Sequence, residues 1–227
     1  MDAEVTARVK GDEVWSVPTL RGVSHRFAFF ASLIAGPYAV WVAPTGHSRL
    51  AAAIFAGCML ALFGVSSAYH GFFWEERRRL WLRRLDHTMI YVLIAGCYTP
   101  FGMVLLSTSK GDIVLWALWA IAGVMVPVNL LWARRPKALN AILGSAAGWL
   151  TAITLPDMAE AGGMVVPGLL LLGGVFHTAG AAAYGLKRPN LKPGVFEYHE
   201  LFHALMITGV VVHYLTVVLY VLPDATR

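Results

Sequence analysis

The chain has 227 residues, of which 58% are hydrophobic and 14% charged, and its mean hydropathy is +0.63. No water-soluble domain of this length sustains such values, so the composition predicts a membrane protein. A spanning helix consumes roughly 20 apolar residues, so seven spans leave about 87 residues for loops and tails and no separate soluble domain fits.

A net charge of +5 and a pI near 9.4 often signal nucleic-acid binding. Here the basic residues fall in short runs between apolar segments, which excludes that reading and marks them as topology signals.

In chain order, residues 1–24 are polar and of mixed charge. They lack the apolar core and small-residue cleavage site of a removable signal peptide, and are expected to form a short cytoplasmic tail. Seven apolar runs follow, over 27–43, 50–74, 88–106, 113–132, 138–155, 164–186 and 201–222. The sequence therefore predicts an all-α, polytopic seven-transmembrane helix bundle as a single domain over 25–223, with 224–227 as a C-terminal tail. Pro37, Pro100 and Pro127 predict kinks inside spans, where neighbouring helices satisfy the freed carbonyls. Cys58 and Cys97 lie within apolar runs and read as small buried residues rather than a disulfide. The Ala- and Gly-rich stretches at 51–53 and 180–185 read as close helix-packing surfaces.

Orientation follows from the Lys and Arg residues. Of the chain's 18, fifteen fall on one side (the N-terminal tail and the second, fourth and sixth loops), leaving Arg49, Lys110 and Arg227 on the other. This asymmetry predicts a cytoplasmic N-terminus and an outward C-terminus.

Ionisable groups within or at the edge of spans are costly and mark candidate functional positions. Four stand out: His70 near the end of the second span, Asp86 opening the third, and His199 and His203 opening the seventh. Parity alone puts all four at one membrane face. His199 and His203, spaced i, i+4, present both imidazoles on one helical face, as two ligands of one metal require, and His70 is a candidate third ligand. Three imidazoles with an open position form the catalytic zinc pattern. The alternative is that these histidines satisfy hydrogen bonds inside the bundle. Asp86 is a candidate to orient a histidine or to hold or deprotonate a water, with a helix cap as the alternative. Ser66, one turn before His70, suits a hydrogen bond to water or substrate, or to its own helix backbone. His87 is expected to point away from Asp86, and His177 and His213 to lie deeper or off this face.

Residues 199–203, His-Glu-Leu-Phe-His, also match the H-E-x-x-H metalloprotease signature, with Glu200 as base. The extended form fails, because Met206 and Gly209 stand where its Gly and third His belong.

The motifs Ser66-Ser67-Ala68-Tyr69-His70, Leu82-Arg83-Arg84-Leu85-Asp86-His87 running into 94–101, and His199-Glu200-Leu201-Phe202-His203 occur in this order. Together they resemble the hemolysin III branch of the progestin and adipoQ receptor family. The resemblance covers most of the chain, from about the second helix to the seventh. It implies a seven-helix bundle with a cytoplasmic N-terminus and a zinc ion near the cytoplasmic face, held by His70, His199 and His203. The family's acidic residue, beside a water on the zinc, falls on Asp86 and its motif serine on Ser66, while His177 departs from the aromatic residue expected in the sixth helix.

The resemblance further implies kinship with membrane-embedded hydrolases of lipid amides, including alkaline ceramidases, and a place in the bacterial plasma (inner) membrane. The expected function is a zinc-dependent hydrolase of lipid amides or esters, whose partners are membrane lipids of the inner leaflet and not nucleic acid. The alternatives are a receptor or membrane-state sensor with structural zinc and, behind these, a cytolytic protein or an intramembrane metalloprotease.

Overall fold

The computed structural model describes residues 18–106, 108–132 and 136–223, together with the backbone of 7–10 and 13–16. The expected C-terminal tail lies outside the described residues. The N-terminal region departs from an all-α reading. Strands β1 (Ala7–Lys10) and β2 (Glu13–Ser16) pair antiparallel, with Lys10 opposite Glu13 and Ala7 opposite Ser16. The sequence Arg8-Val9-Lys10 and Glu13-Val14-Trp15 alternates polar and apolar residues around Gly11-Asp12, a dipeptide type that favours tight hairpins.

The helices are α1 (Val23–Val42), α2 (Gly46–Gly71), α3 (Glu76–Pro100), α4 (Ser109–Leu131), α5 (Lys137–Trp149), α6 (Leu155–Gly162), α7 (Val165–Leu186) and α8 (Tyr198–Thr216). A 3-10 segment, Leu150–Thr154, joins α5 to α6, and each of the seven expected apolar segments coincides with helix, the second overrunning the end of α2 at Gly71 by three residues. Among the described residues, six helical segments are long and apolar enough to cross a membrane. Four are α2, α4, α7 and α3 with its extension to Leu105; the others are the combined α5–α6 run and α8 extended to Val221. The 20-residue α1, with His25 and Arg26 in its first turn, is not among the six.

Local chemistry explains several boundaries. Thr45 caps α2 through a capping box in which the Ser48 N–H donates to Thr45 Oγ1 at 3.2 Å and the Thr45 N–H donates to Ser48 Oγ at 3.0 Å. Pro100 has no N–H and its ring crowds the preceding turn, and the chain changes to a π-helical turn over Phe101–Leu105 directly after it. Pro37 and Pro127 lie inside α1 and α4. At the other end, α3 starts at Glu76, about three turns before the apolar run at 88. Asp86 therefore sits within α3 and is not a helix cap, which corrects that alternative. The arginine-rich stretch 77–84 is helical because Arg and Leu are good helix formers, although hydropathy alone ends the span there.

Packing places α3 at the centre: 67% of its apolar window is buried, against 17% for the α5–α6 run. α2 lies between α1 and α3, while α7 packs on α5 and α8. Outward faces carry Phe27, Ile34, Trp41, Trp116 and Leu131, all exposed, as the surface of a membrane bundle requires. Cys58 and Cys97 are both buried and free. Gly96 lets α3 approach α2 closely, since a Cβ there would stand 2.6 Å from Cys58 Cβ. Gly96→Ala is expected to destabilise the protein by about 1–3 kcal/mol, read as a lower thermal midpoint, and Cys58→Ala in the same chain should restore most of the loss.

Candidate metal centre

Two helix ends and the interior of a third helix build the site. α2 delivers His70 in its last turn, α3 brings Asp86 alongside, and α8 opens at Tyr198, so that His199 and His203 project from its first two turns. The i, i+4 spacing puts both α8 rings on one face. Their ring centroids are 4.5 Å apart, and His70 lies 4.8 Å from His199 and 5.0 Å from His203. One ligand nitrogen from each of the three lies within 4.8 Å of the others, the one such metal-competent group among the described residues. His203 is 1% exposed and His199 9%.

The donor set fits a zinc ion. His199 Nε2 and His203 Nδ1 are buried with no hydrogen-bond partner, a costly arrangement that a cation between the rings would relieve. Three imidazoles are also the ligand type and number that leave zinc an open position.

Around them, Asp86 Oδ2 lies 3.9 Å from His70 Nε2. Ser66, 1% exposed, stands at the Asp86 carboxylate, close enough for its hydroxyl to donate to it, and does not bond its own helix backbone, which is the alternative reading. His87 differs from expectation: it does not point away, because its Nδ1 lies 3.8 Å from Asp86 Oδ2. The ring is held there at both nitrogens. Nδ1 donates to the Arg83 carbonyl at 2.8 Å, which fixes the tautomer, so Nε2 accepts from the Tyr184 hydroxyl at 3.3 Å. The backbone i−4 bond turns the imidazole back along α3, towards Asp86. His177 and His213 lie outside the metal-competent group.

Glu200 is committed elsewhere. Arg21 Nε donates to its Oε1, and the Glu197 N–H donates to its Oε2 at 2.9 Å, closing a capping box at the start of α8. Both oxygens serve structure, which leaves the H-E-x-x-H reading without its base.

The sequence reading missed the amino-terminal side of the site. Thr19 and Leu20 donate backbone hydrogen bonds to the Gly194 and Val195 carbonyls. Gly22 adopts φ 78°, and a Cβ there would stand 2.5 Å from His70 Cβ, so backbone conformation and close approach both require glycine. His25, 2% exposed, stacks on His203 with centroids 3.8 Å apart and planes 12° off parallel. The same parity rule reaches it once α1 is counted as a span, because the start of α1 then falls on the same face as the starts of α3 and α8.

A cavity of about 140 Å³ adjoins the histidines, lined by Asp86 and His199 and also by Tyr98, Trp149, His177 and His213. His199 and His213 are fourteen residues apart on α8, so the cavity extends about 21 Å along the bundle. Its walls come from α3, α5, the 3-10 segment with the start of α6, α7 and α8, and are mostly apolar.

Residues 14–214 match the family described as Haemolysin-III related. The chain belongs to that family. It is 27% identical to the "Hemolysin-3 homolog" of Bacillus subtilis (strain 168) over 167 residues, 74% of this chain and 75% of that one. To the "Hemolysin-3" of Bacillus cereus it is 26% identical over 184 residues, 80% of each. Family membership accords with the three separated motifs, and with the six apolar helices it makes the chain an integral membrane protein.

Proposed function

We propose that this haemolysin-III family member is a zinc-dependent hydrolase of lipid amides or esters in the bacterial inner membrane. In this reading all seven helical rods cross the bilayer, the amino terminus is cytoplasmic, and the site opens to the inner leaflet. The lopsided Lys and Arg distribution supports the orientation. The observation that carries the reading is the combination of three mutually close histidines, two buried and His70 half-buried, with a carboxylate 3.9 Å from one of them, at a long apolar cavity.

His70, His199 and His203 hold the metal, which when bound supplies a Lewis acid and a source of nucleophile at neutral pH. The cavity takes an acyl chain and brings the ester or amide carbonyl to the histidine face. Asp86 accepts a proton from the attacking water and returns it to the leaving nitrogen or oxygen. The C–N or C–O bond breaks, and a carboxylic acid and an amine or alcohol leave. Ser66 orients the Asp86 carboxylate, while His87, pinned by Tyr184 and Arg83, bounds its other side. The amino-terminal segment, with Gly22 on His70 and His25 on His203, limits entry of bulk water.

Purified protein in phospholipid vesicles is expected to release free fatty acid from an N-acyl or O-acyl lipid. Asp86→Asn is expected to stop that release with the metal still bound. A receptor that uses zinc only to tie α2 to α8 would show no release from either protein.

A further inference from the structure

α7 and α8 carry one short pattern in opposite directions. Gly173 precedes His177 by four residues on α7, and Gly209 precedes His213 by four on α8, so each helix presents a glycine and a histidine one turn apart on one face. The two helices pack against each other, and each histidine fills the space opened by the other helix's glycine. A Cβ on Gly173 would collide with the His213 ring, and one on Gly209 with the His177 ring. Hydrogen bonding repeats the exchange. His177 Nε2 donates to the Met206 carbonyl at 3.3 Å and His213 Nε2 to the Leu170 carbonyl at 3.2 Å, each acceptor standing three residues before the partner glycine. The rings meet edge to face at 5.2 Å.

This exchange fixes the tautomers. A carbonyl only accepts, so each Nε2 carries its ring's hydrogen and each neutral ring keeps Nδ1 as a bare acceptor. His213 Nδ1 is buried without a partner, and both residues line the cavity. A clamp between two helices needs only the Nε2 donors, and a buried acceptor left unmet costs free energy. The surrounding walls are apolar, so what meets Nδ1 belongs to a mainly apolar molecule that carries a hydrogen-bond donor. His213 lies ten residues beyond His203 on α8, about 15 Å along the helix.

We propose that His213, with His177 beside it, is a second recognition point in the cavity, accepting a hydrogen bond from a hydroxyl borne well along a lipid chain. The inference rests on the cavity as a lipid-chain site, not on hydrolysis, and its test reads binding alone.

Stearate and 12-hydroxystearate are titrated against the full-length, zinc-loaded protein in detergent, and Kd is measured by calorimetry. Wild type is expected to bind 12-hydroxystearate roughly tenfold more tightly, the discrimination of one buried hydrogen bond that otherwise goes unmade. His213→Gln keeps a donor near the ε position and removes the δ acceptor. It is expected to bind both lipids equally, with the stearate Kd within twofold of wild type as the control for folding. Equal binding by wild type, binding of neither lipid, or a preference that survives in His213→Gln would overturn the proposal. Absence of hydrolysis with the preference intact would remove the hydrolase reading alone.

Discussion

Asp86→Asn is expected to lower fatty-acid release by about 10²–10⁴-fold, the range a positioned general acid–base group contributes. Asn has nearly the shape of Asp and keeps an acceptor oxygen, so the packing against His70, His87 and Ser66 survives while the capacity to take a proton is lost. Metal content is expected to stay near one per chain, because the three histidines are untouched. This split between turnover and metal occupancy separates a proton-transfer role from a structural one. Ser66→Ala should fall well short of the Asp86 effect, since the hydroxyl acts only through the carboxylate. Full turnover in Asp86→Asn would contradict the assigned role.

Arg21→Ala is expected to produce the largest loss of stability, about 3–5 kcal/mol, because it leaves the Glu200 carboxylate buried without its cation. Glu200 is 3% exposed and its other oxygen already accepts from the Glu197 N–H, so it has no second partner to recruit. The same change releases the amino-terminal segment that lies over His70 and His203. Thermal unfolding in detergent checks this, and Arg21→Ala with Glu200→Gln is expected to recover a large part of the loss by removing the unpaired charge. A double variant no more stable than Arg21→Ala would show that the ion pair is not the cause.

Much of this arrangement is legible in the sequence because membrane insertion enforces long apolar runs, and because parity assigns residues to a membrane face without three-dimensional information. His70, Asp86, His199 and His203 were brought together by that rule, and the structure holds the three histidine nitrogens within 4.8 Å. Hydropathy fails where a helix outlasts the apolar layer. It hid the first three turns of α3, which made Asp86 resemble a cap, and it began the first span at Phe27, two residues past His25. The direction of the His87 ring follows from its bonds to the Arg83 carbonyl and the Tyr184 hydroxyl, and the second of these joins residues 97 positions apart. The pairing of Arg21 with Glu200 spans 179 positions and has no local signature. The strand pair 7–10 and 13–16 has one, the polar and apolar alternation on either side of Gly11-Asp12, but it lies outside every apolar run, where hydropathy does not look.

Metal content per chain, measured by mass spectrometry on wild type and His203→Ala after a mild chelator wash, tests the proposed zinc centre most directly. About one zinc in wild type and little in the variant is the expected result, since two imidazoles cannot hold what three do. A well-folded wild type with no bound metal would contradict the centre and return His70, His199 and His203 to the packing of the bundle.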